Sequence, residues 1–119
     1  MKARIPSNHM DLSHDKTAVI VESLKLFIEA DEIDGIAPQR KLTQNKLAAS
    51  TLKRVEKRET RFNAEELQIM YVSILCMRAL IEESDVENSG DAELQEDTAR
   101  YLPIIDELTT YFDSLFSRA

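Results

Sequence analysis

The stretch from Phe62 to Ser84 constrains this chain more than any other. Between Leu67 and Ile81 only Gln68, Ser73 and Arg78 are neither apolar nor small. At about 100° per residue those three point in different directions, so a helix here has no continuous polar face. Such a helix must be covered all round, by its own chain or by a second copy. At about 15 residues the run is too short to span a bilayer. Its start is well marked. Asn63 is a good N-cap, Glu66 completes an Asn version of the capping box, and Glu65 and Glu66 suit the positive end of the helix dipole. Phe62 and Leu67 occupy the two hydrophobic-staple positions.

Around that stretch the pattern predicts three more helices. Ser13 or Asp11 caps the first, which runs to about Asp31 with Ile20, Val21, Leu24, Phe27 and Ile28 as its main stripe and Val19 and Leu26 as a narrower second one. It ends among Asp31, Glu32 and Asp34, a charge the C-terminal dipole disfavours, and Gly35 to Pro38 reads as a turn. The second helix is expected from Thr43 to Glu59, with a thin apolar stripe of Ala48, Thr51, Leu52 and Val55. Ser84 to Gly90 is a polar loop, and Asp91 or Ser89 caps the fourth helix. There Leu94, Tyr101, Ile105, Leu108, Phe112 and Leu115 form a bundle seam, and Pro103 predicts a kink or a restart. The expected fold is all-α, an up-down antiparallel four-helix bundle with the apolar third helix at its centre. Residues 1–11 are expected to be a mobile arm and 12–119 a single domain. Two glycines and three prolines leave little turn chemistry for an all-β alternative.

Targeting and redox signals point to a cytoplasmic protein. The start Met-Lys-Ala-Arg-Ile-Pro lacks the apolar run of a signal peptide, and no segment has the length and apolarity to cross a membrane. Cys76 is the single cysteine, which excludes an intrachain disulfide framework and fits a reducing compartment.

The net charge of −7 conceals an asymmetry. Of the 15 basic residues, eight fall within 40–61, where Glu56 and Glu59 are the only acids. Lys46, Lys53, Arg54, Lys57, Arg58 and Arg61 cover the side of the second helix opposite its apolar stripe and continue just past it. Such a face can meet the acidic remainder of its own chain, another protein, or the phosphates of a nucleic acid.

Two resemblances touch function. Leu42-Thr43-Gln44, Leu47-Ala48 and Ser50-Thr51-Leu52-Lys53-Arg54-Val55-Glu56 resemble pieces of a phage-repressor-type helix-turn-helix, which implies a recognition helix over the second piece. The turn that separates the two helices in that family is missing, so the pieces are expected to run on as one helix. Asp85, Glu87, Ser89, Gly90 and Glu96 fall at positions 1, 3, 5, 6 and 12 of a loop that resembles a calcium-binding EF-hand. Ala92 replaces the branched apolar residue at position 8, no second loop pairs with this one, and a solvated acidic connection is the reading adopted.

No catalytic constellation emerges: a nucleophile–base pair, a metal triad and a phosphate loop are all absent. His9 and His14 lie off one helical face, so no metal site is expected, and no cofactor or small-molecule substrate is evident. Cys76 sits among Leu75, Met77 and Leu80 and reads as an inert thiol. Arg78, a cation in an apolar helix, needs a carboxylate or carbonyl partner if buried, or a route to the surface. The expected function is therefore non-enzymatic: protein–protein interaction, with self-association into a homodimer, and a nucleic-acid-associated role through 43–61 as the alternative. The second helix offers little to cover the third, so the side between them is expected to stay partly open, with Met70, Tyr71 and Met77 as the self-association residues.

Overall fold

The computed structural model describes residues 8–9, 13–30, 33 and 35–117, except the side chains of Asn8, His9 and Glu87. Four helices pack against one another: α1 (His14–Glu29), α2 (Pro38–Glu56), α3 (Ala64–Glu83) and α4 (Ala92–Ser117). The Ser13 hydroxyl caps α1 by accepting from the Lys16 N–H at 3.3 Å, while Asp11 lies outside the described residues. At the start of α3 both halves of the capping box form: Asn63 Oδ1 accepts from Glu66 N–H at 2.8 Å, and Glu66 Oε1 from Asn63 N–H at 3.0 Å. Asp91 Oδ1 accepts from the Leu94 N–H at 3.0 Å and holds the entry to α4.

Three local expectations are corrected. The second helix begins at Pro38, five residues before Thr43, because proline's fixed φ and missing N–H suit the first turn of a helix. Gly35, at φ 86°, makes the turn, and only Ile36 and Ala37 separate it from the helix. At its other end α2 stops at Glu56 instead of Glu59, where Arg58 takes a left-handed φ of 64°. Of the kink and the restart expected at Pro103, the restart does not occur, since α4 runs on through it. It is exposed, so the carbonyl that loses its donor can turn to water.

A two-stranded antiparallel ribbon pairs β1 (Asn8–His9) with β2 (Arg61–Phe62), Asn8 opposite Phe62 and His9 opposite Arg61. Those two residues of the expected arm thus have backbone partners; the remainder of 1–11 lies outside the described residues. So do Asp31, Glu32 and Asp34, the acids expected at the end of the first helix.

The core gathers Val19, Ile20, Leu24 and Phe27 from α1, Ala48 and Val55 from α2, Leu67, Met70 and Ile74 from α3, and Ile105, Leu108 and Phe112 from α4. Val19, assigned to the narrow second stripe of α1, is fully buried with the main one. Between α3 and α4, Arg78 pairs with Asp106 at 3.2 Å and the Tyr71 hydroxyl donates to Asp113. As residue numbers rise on α3 they fall on α4, so this pair is antiparallel. Arg78 also reaches Glu82 at 3.4 Å and stays partly exposed, which resolves its place in an apolar helix.

Candidate functional site

α1 and α4 close two flanks of α3, and the third is open. Between the C-terminal half of α1, the N-terminal half of α2 and the whole length of α3 runs a groove of about 740 Å³. Its α3 wall is the stripe Glu65, Gln68, Ile69, Val72, Leu75, Cys76, Ala79, Leu80 and Glu83. Those spacings of three and four residues set one face of a helix. Leu26, Phe27 and Ala30 come from α1, Ile33, Gly35 and Ile36 from the turn, and Arg40, Gln44 and Leu47 from α2. Leu75 and Leu80 keep 39% and 47% of their surface in water, large values for leucines flanking a core.

α2 leaves this opening because its inward residues are small: Ala48, Thr51 and Val55 are the ones it buries beside Lys41. On the α2 wall the Gln44 Oε1 is buried with no hydrogen-bond donor among the described residues. Cys76 lines the groove half-buried; burial pushes its thiol above the ordinary cysteine value, and the nearby Lys41 charge works the other way. A raised value means little thiolate near neutrality, which suits a packing residue rather than a nucleophile.

The expected self-association residues do not form this opening. Met70 is fully buried in the core. Tyr71 is covered by α4, its ring stacked on Phe116 at 5.6 Å and tilted against Phe112 at 5.7 Å. Met77 is half-buried against α1, where its sulfur lies 3.4 Å from Ser23 Oγ. The opening lies beside α2, where Leu75, Ala79 and Leu80 are exposed and Val72 is half-buried, so Leu75 lies one turn beyond Tyr71 and Leu80 one turn beyond Met77. The sequence signal for them was the spaced stripe from Glu65 to Glu83; what it lacked was the angle at which α2 crosses.

The basic residues divide into two groups. Arg54 is committed to the fold: its guanidinium donates to Glu66, to Glu59 Oε1 at 3.2 Å and to the Arg61 carbonyl at 2.6 Å, and it lies over the Phe62 ring at 5.3 Å. The hydrogen bond to Glu66 is the main reason its affinity for its proton is raised further. It joins the end of α2, the ribbon and the capping box of α3, so its donors, unlike those of the other expected binding cations, are already engaged within the fold. Lys41 likewise turns inward, its Nζ donating to the Phe27 and Ala30 carbonyls at 2.7 and 2.8 Å and to Asn45 Oδ1 at 2.7 Å. It supplies the cation that the last turn of α1 lacks. Lys46, Lys53, Lys57, Arg58 and Arg61 are exposed, and no ion pair joins them to another described residue.

Neither motif resemblance acquires the geometry its family needs. Residues 38–56 form one unbroken helix, so no turn sets a recognition helix apart. In the loop after α3 both Asp85 carboxylate oxygens accept from Asn88 Nδ2 at 3.0 Å, and Glu96 is exposed on α4. Among the described residues no three of His, Cys, Asp and Glu converge as metal ligands. No helix among them is long and apolar enough to cross a membrane.

No protein-family model matches the chain, and neither a curated protein nor a solved structure matches it.

Proposed function

We propose that this protein is a non-enzymatic binding module that acts by holding an apolar segment of another protein in the groove beside α3. The carrying observation is the groove itself, with two leucines exposed along a wall spaced like a helix-packing seam. Covering such a surface removes apolar area from water at about 25 cal/mol per Å². Helix-in-groove recognition uses anchors at this three-and-four spacing. A reducing, cytoplasmic location agrees with the single cysteine, which remains a free thiol.

A second reading has its own observation. Lys46 and Lys53 fall on one line along α2, with Lys57 at its C-cap about 16 Å from Lys46, and Arg58 and Arg61 are the next exposed cations in the chain. Five exposed cations without a described ion-pair partner are suited to phosphates, and binding through them would weaken steeply with salt.

One experiment tests both. The tagged chain is used to capture partners from extracts at low and high salt, beside a Leu75→Asp/Leu80→Asp variant and a Lys46→Gln/Lys53→Gln/Lys57→Gln variant. Protein recovered at high salt and lost only in the leucine variant sustains the groove reading. Nucleic acid recovered at low salt and lost only in the lysine variant replaces it with the second.

A further inference from the structure

The stripe on α3 has a charge pattern as well as an apolar one. Glu65 stands at one end and Glu83 at the other, about 27 Å apart along the helix. Both are exposed, and neither forms an ion pair with a described residue. Val72, Leu75, Ala79 and Leu80 lie between them. We propose that the occupant is an amphipathic helix of a different protein, apolar through its middle turns and carrying Lys or Arg in its first and last turns. The inference rests on the protein-binding reading above and names the chemistry of the partner.

Length and spacing favour a helix. A stripe that repeats every three and four residues over five turns matches the ridge of a second helix laid alongside it. Leu75 and Leu80 face water along the open side, so a compact small molecule would leave much of the trough wet, whereas such sites usually enclose most of their ligand.

The charges argue against a second copy of this chain. A two-fold axis that pairs the stripe with itself brings Glu65 opposite Glu83 when the helices are antiparallel, and each glutamate opposite its own copy when they are parallel. Either arrangement sets carboxylates against carboxylates at both ends, which opposes association. The outer face of α2 is no better as a donor. It offers Leu42 and Ala49 among Lys46, Lys53 and Lys57, and docking it would press ammonium groups onto an apolar floor. Arg40, on the α2 wall, is the one cation among the described residues that line the groove, so the occupant's flank turned to α2 is the place for an acidic side chain.

The test uses two fluorescein-labelled peptides of about 18 residues, the length of the stripe. They share one leucine ridge and differ only in their end turns, lysine in one and glutamate in the other. Binding to the full chain is read by anisotropy, and occupancy by the rate at which iodoacetamide alkylates Cys76, the only cysteine and a groove residue. The lysine peptide is expected to bind about tenfold more tightly than the glutamate peptide, the order given by two exposed ion pairs made or reversed. It should also slow alkylation of Cys76. Glu65→Gln/Glu83→Gln should reduce the difference to about twofold, and Leu75→Asp should weaken both peptides; since each of these side chains is at least partly in water, melting temperatures should fall by only about 5 °C, which leaves the chain folded in the binding assay. Equal binding of the two peptides overturns the charge pattern while leaving a protein-binding groove. Failure of both to bind or shield Cys76 overturns the helical occupant, and the broader reading is then judged by the capture experiment alone. A dimer at micromolar concentration that Leu80→Asp dissolves overturns the foreign partner and assigns the groove to a second copy.

Discussion

Ile74 and Leu75 are neighbours in the chain and opposites in the molecule. Ile74 is fully buried in the core, whereas Leu75 is 39% exposed in the groove. Nothing intrinsic to α3 separates the two sides, since both are apolar. The difference comes from what each neighbour brings. α1 and α4 contribute Leu24, Phe27, Ile105 and Phe112, which are large enough to fill the space against α3. α2 fully buries only Ala48, Thr51 and Val55 beside Lys41, with Leu47 and Leu52 partly covered. A helix that buries small side chains makes a shallow contact, and the apolar surface beyond its reach stays in water. The open side of α3 is thus a property of α2.

That contrast can be broken by substitution. Ile74→Ala should cost roughly 2–5 kcal/mol, because it removes three buried carbons and leaves a cavity. Leu75→Ala should cost less than about 1 kcal/mol, because its surroundings are already partly wet. Urea unfolding of the two variants measures both; equal losses would mean that the groove is closed in solution.

Two lysines of α2 repeat the comparison for charge. Lys41→Met strips the donors from the Phe27 and Ala30 carbonyls and from Asn45, and should cost about 2 kcal/mol. Lys46→Met, on the solvent side, should stay within about 0.5 kcal/mol of the parent. Thermal melts that show the reverse order would remove Lys41 as the cap of α1. Asn63→Ala comes next, at about 1 kcal/mol, since it breaks one half of the capping box.

The smallest effect belongs to the closed side of α3. The Asp113 carboxylate accepts the Tyr71 hydroxyl, and this bond, more than burial, holds the phenol above its ordinary value of about 10. A raised value in the folded state means that the contribution is complete below the ordinary phenol value and is lost as pH climbs through the raised one. Tyr71→Phe should therefore change stability by a few tenths of a kcal/mol at neutral pH. Ultraviolet titration should show Tyr71 ionising above the ordinary phenol value, and Asp113→Asn should lower that midpoint.

Much of the fold was legible in the residues themselves. Asn63 and Glu66, Ser13, and the α4 seam through Ile105, Leu108 and Phe112 are local patterns, and local hydrogen bonding and periodicity are sufficient to read them. The start of the second helix is not legible in the sequence, because Pro38 is equally at home at the end of a turn and in a first helical turn. The ribbon of Asn8–His9 with Arg61–Phe62 left no signal, since two-residue strands carry no periodicity.

The sequence alone determined that α3 had to be surrounded and that the basic residues had to cluster on α2, because composition and helical period are sufficient for both. Which flank of α3 stays open, and which cations stay free, was decided only by the tertiary structure. Both depend on the angle and depth at which α2 meets its neighbours, and those are set by side chains far apart in the chain. Lys41 and Arg54 look like Lys46 and Lys53 in sequence. They differ because a carbonyl pair at the end of α1 and a carboxylate at the start of α3 lie within their reach, and only folding brings those groups there.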